Sequence, residues 1–194
     1  MSEVFDLANY LKKLQALVEV ILSRPSKENL TYDILDTDVN KNKKIIALQI
    51  RQRTMKIGEI WQSALGNYHK FENLKNGHET GLDILSKDRK IIAEIKNRTT
   101  TDNCSSKKAN LSKLAKYKRD NPEYNCIYGY VNEDTERATI QGNIKTIIHE
   151  GMEIKEYTGM ELLKFILGEH TDEIITFIKK IINDYDNNSN PVAP

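Results

Sequence analysis

The chain has 194 residues, 39% of them hydrophobic and 29% charged, which is the balance of one globular domain rather than a disordered segment. Two cysteines, Cys104 and Cys126, exclude a disulfide framework and a C-x-x-C metal site and point to a reducing cytoplasm, and no apolar run nears the roughly 20 residues that span a bilayer. The net charge is only +1, yet Lys96 to Arg119 holds eight basic residues against one acid, a local +7 that leaves −6 elsewhere.

The N-terminus, MSEVFDLANYLKK, lacks a basic segment followed by an apolar stretch, so no signal peptide is expected. Residues 4–22 carry Leu7, Tyr10, Leu11, Leu14, Leu17, Val18 and Ile21 at helical spacing, and Arg24-Pro25 ends that helix. LTYDILDTDVNKNKK reads as loop, with room for one short edge strand. A second helix is predicted from about Asn42 to Tyr68, followed by the loop ENLKNGHETG.

The stretch GLDILSKDRKIIAEIKNR, 81–98, reads as a β-hairpin turning at SKDRK. After it, Asn103 or Ser105 can cap a basic helix that runs to about Arg119 and stops at Asn121-Pro122. YNCIYGYV (124–131) reads as a buried strand, RATIQ (137–141) as a strand paired with it, and MEIKEY (152–157) as a third. ELLKFIL (161–167) and EIITFIKKIINDY (173–185) are amphipathic helices, and 187–194 reads as a frayed tail. The expected fold is α/β or α+β, a mixed central sheet flanked by helices. Within one domain over 1–186, a helical part spans 1–75, a core 76–157 and C-terminal helices 158–186.

The hairpin carries the chemistry. Residues two apart on a strand share a face, so Glu94 and Lys96 project together while Ala93 and Ile95 turn to the core. The hairpin brings Asp83 alongside them. Two carboxylates make a hard oxygen site for Mg²⁺, which takes few protein carboxylates together with waters and phosphate oxygens. A lysine beside them can orient or help deprotonate an attacking water. That set suits phosphodiester hydrolysis; an exposed hairpin with an E-x-K ion pair is the plainer alternative. The basic segment that follows suits a polyanion: Asn97, Arg98, Thr100, Asn103, Ser105, Ser106, Lys107 and Lys108 lie where a polar loop opens a helix, a setting for phosphates and base edges. The four histidines do not form a zinc-ligand spacing, although His78 lies shortly before Asp83.

The run of Asp83, Glu94 and Lys96, as G-L-D-I-x₉-E-I-K, resembles the PD-(D/E)XK nuclease core, with Leu82 where proline often stands. AEIKNRTTTDNCSSKKANLSKLAKYK and KIGEIWQSALGNY resemble type II restriction endonucleases that cut GGNCC or GGWCC sites; Thr100 and Cys104 stand where those enzymes have Asn and Ser. The resemblance implies a restriction-endonuclease-like fold and a Mg²⁺-dependent homodimer that cuts double-stranded DNA and leaves 5′-phosphate ends. It implies catalysis by Asp83, Glu94 and Lys96, with Glu59 of the preceding helix completing the metal shell. A nicking or junction-resolving nuclease and a non-catalytic DNA-binding protein are the alternatives.

Overall fold

The computed structural model describes residues 5–25, 30–31, 33–74, 77–101 and 103–189. Val4, part of the loop at 72–81 and the tail from 190 lie outside the described residues. Helix α1 (Leu7–Ser23) starts where Asp6 accepts a hydrogen bond from Asn9 N, and it buries Tyr10, Leu14, Val18, Ile21 and Leu22 along one stripe. Helix α2 (Asp38–Gly66) begins four residues ahead of the sequence expectation because Thr37 caps it, accepting from Asn40 N. No strand precedes it among the described residues of the 30–44 segment; Asp33 and Asp36 form a tight turn there instead.

Six strands form one sheet in the order β1-β2-β3-β4-β6-β5. They are β1 (Glu72–Asn73), β2 (Ile84–Ser86), β3 (Ile91–Arg98), β4 (Asn125–Asn132), β5 (Asn143–His149) and β6 (Met152–Thr158). Strands β2 and β3 are the antiparallel hairpin, with Ile84 opposite Ala93. Strand β3 then runs parallel to β4, and β4 parallel to β6. Helix α3 (Cys104–Asp120) makes the crossover that a parallel pair requires.

Two apolar layers enclose the sheet. On one face α3 packs Leu111, Leu114 and Ala115 against Ile92, Cys126, Tyr128, Tyr130 and Ile154. On the other, α1, α2, α5 (Gly159–Leu167) and α6 (Thr171–Ser189) cover Ile91, Ala93, Ile95, Ile127 and Val131. Gly129 permits the close approach of α5, since a Cβ there would lie 2.8 Å from Leu162 Cδ1. Arg89, in the turn of the β2–β3 hairpin, donates to the carbonyls of Phe165 and Ile166 at 2.6 and 3.0 Å, so the turn is fixed to the end of α5.

The structure corrects two expectations and adds one strand. RATIQ is not a strand but the body of helix α4 (Glu136–Gln141). Thr and Ile favour strands, but Thr135 Oγ1 accepts from Ala138 N at 3.1 Å, and the neighbours of β4 are β3 and β6. The segment after it forms edge strand β5, antiparallel to β6 through Glu150 and Gly151, both at positive φ. Helix α6 extends through Ser189, into the stretch expected to fray.

Candidate active site

Residue 83 sits one position before β2 and opposite Glu94, in line with the Ile84–Ala93 pairing. Backbone hydrogen bonds continue past the strand end, from Asp83 N to Ala93 O at 3.1 Å. Alternation along β3 does the rest: Ala93 and Ile95 are buried in one layer, and Glu94 points to the other face. Asp83 Oδ2 accepts from Ile95 N at 2.7 Å and Oδ1 from Gln62 Nε2 at 2.8 Å. Glu94 is only 4% exposed, and its Oε1 accepts from Lys96 Nζ.

Burial pushes the Asp83 carboxyl above its ordinary range, against the opposing effects of the Ile95 N–H, Lys96 and Lys113. Burial also raises Glu94, and the neighbouring Asp83 charge raises it further, while Lys96 and Lys113 pull it back. Two carboxylates in mutual repulsion in a partly desolvated setting are stabilised by an added cation. Among the described residues no group of three or more His, Cys, Asp or Glu side chains is gathered to hold a metal. A pair of carboxylates fits a hard divalent ion that keeps waters and substrate oxygens in its shell, and does not fit a zinc site closed by protein ligands.

Glu59 is not brought to this pair by any contact of its own. Its two oxygens take Arg24 at 2.8 and 3.0 Å, beyond the end of α1. The α2 side chain that reaches Asp83 is Gln62, one turn further on. Lys113 of α3 is the second residue missing from the sequence reading: its Nζ donates to Gly81 O and Asn110 Oδ1, both at 3.1 Å. The signal for Gln62 was its three-residue spacing from Glu59 on one helix. For Lys113 the sequence offered only membership of the basic helix.

The polar segment after β3 divides in two. Arg98, Thr100, Asn103, Ser105 and Lys108 are exposed around the start of α3. Asn103 is the cap, with Oδ1 accepting from Ser106 N at 2.8 Å and from Ser105 Oγ at 3.0 Å. Asn97 is instead a brace: its Nδ2 donates to Thr54 O at 3.2 Å and its Oδ1 accepts from Asn132 at 2.9 Å. Lys107 donates to Glu156 Oε2 at 2.6 Å, with its ammonium 5.2 Å from the centre of the Tyr130 ring. Glu156, 2% exposed, also takes Lys145 at 2.5 Å. His78 turns back on its own loop, where Nδ1 meets Thr80 Oγ1 at 2.9 Å.

No helix among the described residues is long and apolar enough to cross a membrane. Neither a curated protein nor a solved structure matches the chain. One family model does, over residues 29–185, a span that takes in α2, the acidic hairpin, the basic helix and most of α6. The protein therefore belongs to the Eco47II restriction endonuclease family and is a nuclease that acts on DNA.

Proposed function

We propose that the protein is a type II restriction endonuclease of the PD-(D/E)XK kind, active as a homodimer in the cytoplasm. It requires Mg²⁺ and hydrolyses both strands of double-stranded DNA at a short specific site of the GGNCC class, leaving 5′-phosphate ends. The observation that carries this reading is the Asp83–Glu94 pair, two largely desolvated carboxylates facing each other across the hairpin with ammonium groups beside them. Asp83 and Glu94 hold the metal, with Gln62 and the Ile95 N–H fixing the Asp83 carboxylate. A bound divalent ion supplies a lowered water pKa and positive charge against the phosphorane-like transition state. Lys96, bonded to Glu94, holds positive charge beside the attacking water and orients it.

Arg98, Thr100, Asn103, Ser105, Ser106 and Lys108 face the DNA, and Asn97 and Lys107 brace that surface from behind. A second copy supplies the other cut, since two sites related by a two-fold axis match a palindrome. Between its start and Met55, α2 exposes Val39, Ile46, Ile50 and Met55, apolar surface of the kind that a partner subunit covers.

Plasmid DNA with Mg²⁺ tests the reading. Discrete fragments with 5′-phosphate ends are expected from the wild type and none from Asp83→Ala or Glu94→Ala. Relaxed circles would mark a nicking enzyme, and intact DNA that shifts on a gel a binding protein. Fragments that persist in both variants would sink the site assignment.

A further inference from the structure

Lys113 is held in an uncommon way for an exposed lysine. Its ammonium bridges two elements, donating to the Gly81 carbonyl of the loop before β2 and to Asn110, which is 8% exposed, on its own helix. Gly81 makes room for it. The residue has φ +60°, and a Cβ there would stand 3.3 Å from both Lys113 Cε and Nζ. Any larger residue would be strained at this φ, and its Cβ would make the ammonium give by a few tenths of an ångström. An ammonium has three donors; two are spent on these acceptors, and the third has no acceptor among the described residues.

The position matters more than the brace. Gly81 lies two residues from Asp83, and the Lys113 charge is felt by both Asp83 and Glu94. Lys113 also forms one wall of a cleft of about 540 Å³ between the 78–81 loop and the second half of α3, together with Lys116 and Tyr117. Glu79 and Asp120 line the cleft as well, and its two ammonium groups are those of Lys113 and Lys116. Lys96 is bonded to Glu94, and Lys113 is the cation that both acts on the carboxylate pair and lines the open cleft. A compact, exposed ammonium on a fixed stem suits a phosphate oxygen better than a base edge.

Resting on the nuclease reading above, we propose that Lys113 is a substrate-binding residue of the reaction centre. It contacts the DNA phosphate next to the scissile one, and the cleft beside it seats the backbone of that strand.

The test uses short duplexes carrying the cut site mapped from plasmid fragments, each with one phosphate near the cut replaced by an uncharged methylphosphonate. Binding is measured with Ca²⁺ and single-turnover cleavage with Mg²⁺. In the wild type one position should show a penalty of roughly 10-fold or more, the size of a lost charge-assisted hydrogen bond. Lys113→Met should bind and cut the unmodified duplex more weakly by a similar factor and should no longer sense that replacement. Lys113→Arg should restore the penalty. Gly81→Ala, which keeps the charge and shifts it, should reduce the penalty without abolishing it. Should Lys113→Met fail to fold, Lys113→Gln takes its place.

Lys113 variants that cut within twofold of the wild type with every penalty unchanged would overturn this assignment alone. A wild-type protein that leaves all duplexes and plasmid intact would overturn the nuclease reading, and this assignment with it.

Discussion

Gln62 donates to Asp83 Oδ1 at 2.8 Å, joining the C-terminal part of α2 to the acidic edge of the hairpin. The bond holds one carboxylate oxygen while the Ile95 N–H holds the other at 2.7 Å, so the Asp83 plane is fixed before any ligand arrives. Groups that orient a ligating carboxylate are worth about 10–100-fold in metal affinity or activity. Gln62→Leu should therefore raise the Mg²⁺ concentration for half-maximal plasmid cleavage by about that factor. Glu59→Gln, which touches the Arg24 pair instead, should change it little. Equal effects from the two variants would show that Gln62 has no special hold on the site.

The acid pair should lower stability at neutral pH. Asp83 and Glu94 both have folded-state pKa values raised from ordinary values of 3.8 and 4.5, chiefly by burial. A carboxyl raised in this way binds its proton more tightly in the folded chain than in the unfolded one. Its contribution is fully present below the unfolded value and is lost as pH rises towards the folded one. In EDTA, the double variant Asp83→Asn/Glu94→Gln should melt higher than the wild type, by an amount that grows as pH rises above the ordinary carboxyl range. Each kcal/mol relieved should raise Tm by roughly 2–4 °C in a chain of this size. Mg²⁺ should stabilise the wild type and not the variant. Melting curves that run parallel across that pH range would refute the account.

The hairpin was legible because its information is local. Alternation along β3 and the pairing of two adjacent strands suffice to set Glu94 opposite Asp83, and the Asn103 cap follows from three residues of sequence. RATIQ is helical against its β-propensity because that propensity is a statement about packing partners, whereas the Thr135 cap and the β4–β6 pairing decide that segment. Gln62, Lys113 and Lys107 escaped for another reason. Their partners lie 21, 32 and 49 residues away, and nothing in a helix pattern says which lysine meets a carbonyl, which meets a buried acid and which meets solvent.

Glu156 gives the clearest case of that division. It is 2% exposed and bonded to Lys107 and Lys145 at 2.6 and 2.5 Å. Either lysine alone keeps the buried charge paired, so Lys107→Met and Lys145→Met should each destabilise by about 1 kcal/mol. Together they strand a buried carboxylate, and the double variant should lose about 3–5 kcal/mol. Urea denaturation of the four proteins measures the coupling. Strict additivity would mean that Glu156 does not depend on the pair.

Lys108 neighbours Lys107 in sequence but is exposed, so the two residues should separate in DNA binding. A lysine on a backbone phosphate releases about one counterion, and its loss lowers the slope of log K against log salt by about 0.9. Lys108→Ala should reduce the slope by about that amount and weaken specific and non-specific duplexes alike. Lys107→Met should leave the slope near the wild-type value, because its charge is spent on Glu156, and should show its effect in the melting temperature instead. Titrations in Ca²⁺ at several salt concentrations distinguish the two. A slope that falls equally in both variants would return Lys107 to the DNA-facing surface and leave Glu156 held by Lys145 in the complex.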